Sequence, residues 1–512
     1  MKIGSSPTPG KPRPSPRPPG PRTPARPGAT DAPAAEESWR PFWLYLTIGG
    51  IVLFLAAIEL PYDPVVIPQP LLVSLGLLSL IVVVFLAFEN FFLVQLILVC
   101  YLPFSALLPG DFGGFLKAFN LTNILTVVIV VGWLARGGFR GERIYRPTRA
   151  DALLAVFCAL ASVSLVRGLV EAQMSAHVLD TLKRYLTPFF YFYVFANNVR
   201  TRREIQYIYA ATAFICVVAA GMALKESYLD IGYFSRLDAM RVRGITMQPN
   251  DTAAFFTYYT PFVVVPFLHR PRRALTWMLP VATFACFWAM TRTFSRGGII
   301  AFAVTLLATI ALRRWRAAVA IALLLAVLLF AFPQTLPESV VGRFQGLIRS
   351  APRGADLLDP RRLEPSAARR IRIWKRALPH MARNPLLGIG YGHFGHTMRG
   401  DAHNGFILIA AEMGFPALFI YLGVLVLLAR AAWRLRARAA RPILRWLGHA
   451  YLAAVVGVVV ANQFGSRLNS QELSSLFWIL GGLTMMADRE MRRGNPEFSA
   501  RGESSAPEPA PT

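Results

Sequence analysis

Two kinds of side chain in this sequence are placed to do chemistry: a histidine beside a carboxylate, and arginines set at the ends of apolar blocks. The stretch Asp401-Ala402-His403-Asn404-Gly405 ends a long polar segment and runs straight into Phe406-Ile407-Leu408-Ile409-Ala410-Ala411-Glu412-Met413-Gly414. Asp401 is expected to be the N-cap of the helix that starts here, because its carboxylate accepts from the unpaired N–H groups of a first turn. His403 then falls on that first turn, at a membrane surface, where an imidazole can exchange a proton near neutral pH. A polar residue that only tolerates the interface is the alternative. Glu412 lies nine residues beyond His403, roughly 13.5 Å along a regular helix and half a turn around it. That is too far for a direct pair, so its expected partner is a polar group of another span, such as an arginine, since an unpaired carboxylate at that depth is costly.

The arginines fall in two short stretches. In Arg241-Val242-Arg243-Gly244, followed by Gln248-Pro249-Asn250-Asp251, Pro249 enforces an extended or turn approach. Asn250 or Asp251 can cap the next helix. The planar fork of Arg243 suits a phosphate; snorkelling toward the interface is the other reading. In Thr291-Arg292-Thr293-Phe294-Ser295-Arg296-Gly297-Gly298, two spans join with almost no loop. The glycines permit a turn or close helix approach. Arg296 opens a helix, whose free N–H groups and dipole also favour an anion. A tight turn with a solvated arginine is the bland reading.

Residues 366–383 carry Ile371, Trp374, Leu378 and Met381 at helical spacing, with Arg369, Arg370, Arg372, Lys375, Arg376 and Arg383 around them. This amphipathic helix suits an anionic membrane surface or a cover over a lipid-diphosphate site, and equally suits packing of the loop onto the bundle. The run Pro385-Leu386-Leu387-Gly388-Ile389-Gly390-Tyr391-Gly392 has no surrounding strand–helix unit, so it is not a dinucleotide loop. Its glycines are expected to mark tight turns that return the chain to His403.

The elements that position these groups follow from composition. Of 512 residues, 54% are hydrophobic, gathered in blocks of about 16–22, enough to span a hydrocarbon core. Lipid cannot satisfy backbone polar groups, so the spans are helices and the fold class is all-α, a polytopic helical bundle. We read about 12–14 spans: helices 1–11 within 41–332, a long loop 333–403, and helices 12–14 within 404–487. Residues 1–40, rich in Pro, Gly, Ser and Arg, and residues 488–512 read as disordered cytoplasmic segments. The four cysteines all lie in apolar blocks and read as small buried hydrophobes, not as a disulfide framework or a metal site.

The formal charge of +26 would point to nucleic acid in a soluble protein. Here it is topological. With the N-terminus in the cytoplasm, arginine clusters at 136–149, 200–203, 270–273, 313–316 and 430–445 all fall inside, as the positive-inside rule expects. Both termini are then cytoplasmic. Three outward stretches, 225–251, 291–298 and 333–403, keep arginines against the rule, and binding an anion is the obvious reason.

Taken together, Arg243-Gly244 to Asn250, Ser295-Arg296-Gly297-Gly298, Ile373-Trp374-Lys375 with Asn384-Pro385-Leu386-Leu387-Gly388, and His403-Asn404 with Glu412 and Gly414 resemble the O-antigen ligase and O-antigen polymerase superfamily. The resemblance covers roughly 243–421. It implies a GT-C-like membrane enzyme of the bacterial inner membrane that transfers glycan from undecaprenyl diphosphate on the outer face, with no cofactor or metal. Its expected partners are a lipid-linked glycan donor, a lipid or glycan acceptor, and membrane lipids. The roles implied are diphosphate binding for Arg243 and Arg296 and catalysis for His403. Arg241, Arg292, Asn404 and Glu412 are taken as supporting residues. A polymerase joining lipid-linked repeats is the nearer alternative, and a flippase for the same lipid the more distant one. Nothing in the sequence specifies an oligomer.

Overall fold

The bundle follows from blocks of apolar residues interrupted by polar caps. A computed structural model describes residues 69–107, 120–141, 143–172, 177–234, 240–269, 278–331 and 365–499. The expected arm 1–40, the span expected at 42–60, the loop residues 333–364 and the tail 500–512 lie outside them. The described residues all belong to one compact unit, Val52–Thr512.

Fourteen helices occur among the described residues. The first six are α1 (Gln69–Glu89), α2 (Phe91–Tyr101), α3 (Leu121–Arg140), α4 (Asp151–Ala172), α5 (His177–Asn198) and α6 (Arg202–Tyr228). Next come α7 (Pro249–His269), α8 (Met278–Thr291) and α9 (Arg296–Ala331). The last five are α10 (Pro365–Arg383), α11 (Phe394–Met398), α12 (Gly405–Arg438), α13 (Pro442–Ala461) and α14 (Gln471–Arg492). A two-residue hairpin, β1 (Tyr233–Phe234) with β2 (Met240–Arg241), pairs Tyr233 with Arg241 and leads into the first arginine stretch.

The chain is an all-α polytopic membrane protein. Five helices, α3, α4, α6, α12 and α13, contain stretches long and apolar enough to cross a bilayer, and three shorter apolar helices lie at Gly76–Phe88, Phe91–Phe104 and Met278–Thr291. Other expected spans are more polar: α5 carries Asp180, Lys183 and Arg184, and α14 ends in charges. α9 is two helices joined across a kink at Arg314 (φ −140°, ψ 71°), which falls between the spans expected at 297–312 and 317–332.

Aromatic residues fill the centre. Trp478 of α14 meets Phe189 of α5 at a centroid distance of 4.5 Å, and Tyr421 of α12 packs on Phe157 of α4 at 5.5 Å. At the far end of α12 from His403, Arg434 forks onto the buried Asp488 with bonds of 2.8 and 2.7 Å. The expectation of a disordered tail from 488 is corrected for its first part: α14 runs through Arg492, and Phe498 is fully buried.

The glycine-rich run has a structural cause that spacing alone did not reveal. α12 breaks at Gly414 (φ 84°, ψ 170°). A break frees carbonyls that lipid cannot satisfy. The run supplies their partners: the N–H of Ile389 donates to the Ala411 carbonyl at 2.8 Å, and that of Gly390 to Glu412 at 3.1 Å. Ser164 of α4 adds a 2.6 Å bond to the same Glu412 carbonyl, and the Phe415 N–H closes the other side on Pro385 at 2.8 Å. Such close approach requires glycine. Gly388 has φ 66°, and a Cβ there would overlap the Glu412 backbone.

α10 packs against the same half of α12, but its apolar stripe is rotated from the expected one. Ile373, Ala377 and Met381 are buried against Phe394, Met398, Ala402 and Ala410, and Ala368 is buried too. Leu378 is exposed. Trp374 reaches the return segment through its indole N–H, which donates to the Ala402 carbonyl at 2.7 Å.

Candidate functional site

His403 precedes its helix and is not on the first turn. The N-cap is Asn404, whose Oδ1 accepts from the N–H groups of Phe406 and Ile407 at 2.9 and 3.1 Å. Asp401 is therefore not the cap. Its Oδ2 lies 3.0 Å from Nδ1 of His403. A carboxylate only accepts, so Nδ1 carries the hydrogen and neutral His403 keeps its lone pair on Nε2. The backbone of His403 is left-handed, φ 50°, which turns the ring back toward Asp401. Both side chains stay open to solvent, 37% and 50% exposed. Burial pushes the Asp401 carboxyl up, but hydrogen bonds and charge from His403 outweigh it and hold it down at about 2.

The four arginines converge on one end of the bundle. The N–H of Val242 donates to the Arg292 carbonyl at 3.1 Å, which joins the two stretches. Arg241 works as a strut, with Nε on the Thr293 carbonyl at 2.9 Å and Nη2 on Asn250 Oδ1 at 3.0 Å. Arg292 covers the Trp288 ring at 5.3 Å, a cation–π contact. Arg296 stands at the first position of α9, behind Ser295, whose Oγ accepts from the Gly298 N–H at 3.3 Å.

Arg243 has a counter-ion that we did not anticipate. Glu226, on the last turn of α6, is fully buried. Its carboxylate accepts from the backbone N–H groups of Arg243 and Gly244, both at 2.8 Å, and from Arg243 Nε at 3.5 Å. Arg243 Nη2 also reaches the Ile231 carbonyl at 3.3 Å. The guanidinium remains 31% exposed, so it is oriented by Glu226 and still reachable. The signal was an acidic residue at the end of an apolar block, which lipid tolerates only with a partner.

The piece that unites these groups is the turn 462–470 between α13 and α14, which the sequence reading passed over. The Asn462 carbonyl accepts from the Gly405 N–H at 2.8 Å, and Asn404 Nδ2 donates to Gln463 Oε1 at 3.1 Å. A Cβ on Gly297 would overlap Phe464, so the start of α9 rests on the same turn. His403 and Arg296, 107 positions apart in the chain, are thereby tied to one short segment.

Glu412 is not paired with an arginine as expected. It is buried, 4% exposed, and its carboxylate accepts from the backbone N–H groups of Gly392 and of Phe394, the latter at 3.1 Å. It locks the glycine-rich run to α12, which is a structural task. Among the described residues no three His, Cys, Asp or Glu side chains group so as to hold a metal ion.

No curated protein matches the chain. Residues 281–422 match the family model described as O-antigen ligase. That stretch takes in Arg292, Arg296, the glycine-rich run, His403 and Glu412; Arg241, Arg243 and the 462–470 turn lie outside it. Carried on an all-α membrane bundle, this match over residues 281–422 supports a membrane enzyme of the O-antigen ligase or polymerase type in surface polysaccharide biosynthesis.

Proposed function

We propose that the protein is an inverting glycosyltransferase of the bacterial inner membrane, O-antigen ligase-like, that moves a glycan from undecaprenyl diphosphate to an acceptor hydroxyl on the periplasmic side. The observation that carries this reading is the His403–Asp401 pair, 3.0 Å apart and open to solvent, with the adjoining Asn404 and Gly405 tied by one turn to the arginine-bearing start of α9. Both termini are assigned to the cytoplasm from the alternating arginine clusters. The partners are a lipid-linked donor, a lipid or glycan acceptor and the surrounding lipids; nucleic acid is excluded as a partner, since topology accounts for the charge.

In the reaction the acceptor O–H gives its proton to Nε2 of His403 while its oxygen attacks the anomeric carbon. The bond from that carbon to the diphosphate oxygen breaks, and its electron pair leaves with the diphosphate. Arg243 and Arg296 neutralise the charge that develops there. Asp401 holds the ring by Nδ1–H and stabilises the imidazolium that forms. Attack opposite the leaving group inverts the anomeric carbon. No step of this scheme needs a cofactor.

The test is formation of a new glycosidic bond by purified protein given lipid-linked donor and acceptor. Transfer of a whole chain to a non-polyprenyl acceptor supports a ligase. Joining of lipid-linked repeats makes the protein a polymerase. Movement of the lipid across vesicles without bond formation makes it a flippase and overturns the reading.

A further inference from the structure

The turn between α13 and α14 carries a guanidinium that the scheme above leaves unused. Arg467 Nη1 is paired with Oδ1 of Asp251, on the first turn of α7, and both side chains are largely buried, 11% and 17% exposed. Its neighbours on the turn reach both halves of the site. Phe464 packs on Gly297, next to Arg296; Asn462 and Gln463 accept from Gly405 and Asn404, which follow His403. The guanidinium itself lies over Gly465, where an added Cβ would stand 2.5 Å from Nη2 and 2.7 Å from Nε.

Asp251 does not depend on Arg467 for its hydrogen bonds. With its amide turned so that donor meets acceptor, Gln248 donates to both carboxylate oxygens of Asp251, at 2.7 and 3.0 Å. The N-terminal end of α7 also favours a negative charge at its first turn. Arg467 has five N–H donors in a rigid fork, and one carboxylate oxygen engages only part of it. The carboxylate is thus over-supplied and the guanidinium under-used. An anion arriving at this end of the bundle offers Arg467 a two-pronged partner, and Asp251 stays satisfied when the arginine leaves.

We propose that Arg467 is a further anion-binding residue of this site, held on Asp251 at rest and passed to a phosphate of the lipid-linked substrate when that substrate binds. The inference rests on the glycan-transfer reading for the identity of the anion. It assigns Asp251 the part of a resting counter-ion, not of a brace.

The experiment uses the full-length protein in nanodiscs and a polyprenyl diphosphate as probe, with the matching monophosphate for comparison. Wild-type protein is expected to bind the diphosphate more tightly. Arg467→Ala should weaken diphosphate binding at least about tenfold, as for loss of a charge-assisted hydrogen bond. Arg467→Lys, which keeps a cation for Asp251 but lacks the fork, should also bind more weakly than wild type. Asp251→Asn should bind as tightly as wild type or more tightly, because the arginine then has no resting competitor. If Arg467→Ala and Asp251→Asn weaken binding alike, the pair is only a brace and the proposal is overturned. Wild-type affinity in Arg467→Ala overturns it as well. If wild-type protein binds neither lipid, the glycan-transfer reading itself fails and takes this inference with it.

Discussion

Replacing His403 by asparagine separates its two nitrogens. The asparagine amide nitrogen stands where Nδ1 does, so the 3.0 Å bond to Asp401 is kept. Nothing replaces Nε2. Asparagine also tolerates the left-handed backbone, φ 50° at this position, better than most residues. Asp401 is half exposed, so any weakening of that bond is met by water and costs less than about 1 kcal/mol of stability. His403→Asn should therefore accumulate and melt like wild type. Its turnover should fall by about 10²–10⁴-fold, the range for losing a positioned general base, equivalent to about 2.7–5.5 kcal/mol in the barrier. The assay is single-turnover transfer from lipid-linked donor in nanodiscs, followed across pH. The carboxyl of Asp401 is depressed to about 2, so the charge that orients the ring is fully present above the ordinary carboxylate range and lost only as pH falls through about 2. Turnover in His403→Asn within threefold of wild type would refute the base assignment.

Three further outcomes are expected. Arg296→Lys should lose more transfer at limiting donor than retention of charge predicts, because an ammonium lacks the two-pronged phosphate contact; full activity there counts against a diphosphate role. Glu412→Ala leaves the buried Phe394 N–H unpaired and should lower the unfolding free energy by about 1–3 kcal/mol, read as reduced abundance and a lower melting midpoint; normal abundance with complete loss of turnover would move Glu412 into the chemistry. In a cysteine-free background, a single cysteine at exposed Arg399 should react with an impermeant thiol reagent from the periplasm, and one at exposed Arg438 only after permeabilisation; the reverse pattern would dismantle the topology.

Much of this protein could be read directly from residue order. Lipid leaves a spanning backbone no choice but the helix, so apolar block length and arginine clusters set the all-α bundle without knowledge of any contact. Arg296, Arg243 and His403 stood out as candidates for the same reason, since charge beside hydrocarbon needs a purpose. Capping was not decidable at that level. Asp401 and Asn404 both suit an N-cap, and the choice rests on Asp401 being claimed by His403 and on Asn404 being held by Gln463, which only folding brings near. The same holds for Glu226 on Arg243 and for Glu412 on the backbone of 392–394. A carboxylate's need for donors can be foretold, but which donors answer depends on where the chain returns. Tertiary structure alone decided that the turn 462–470 joins the histidine to the arginines. Its residues form no pattern in the sequence, and their role exists only because α9, α12 and α13 end side by side.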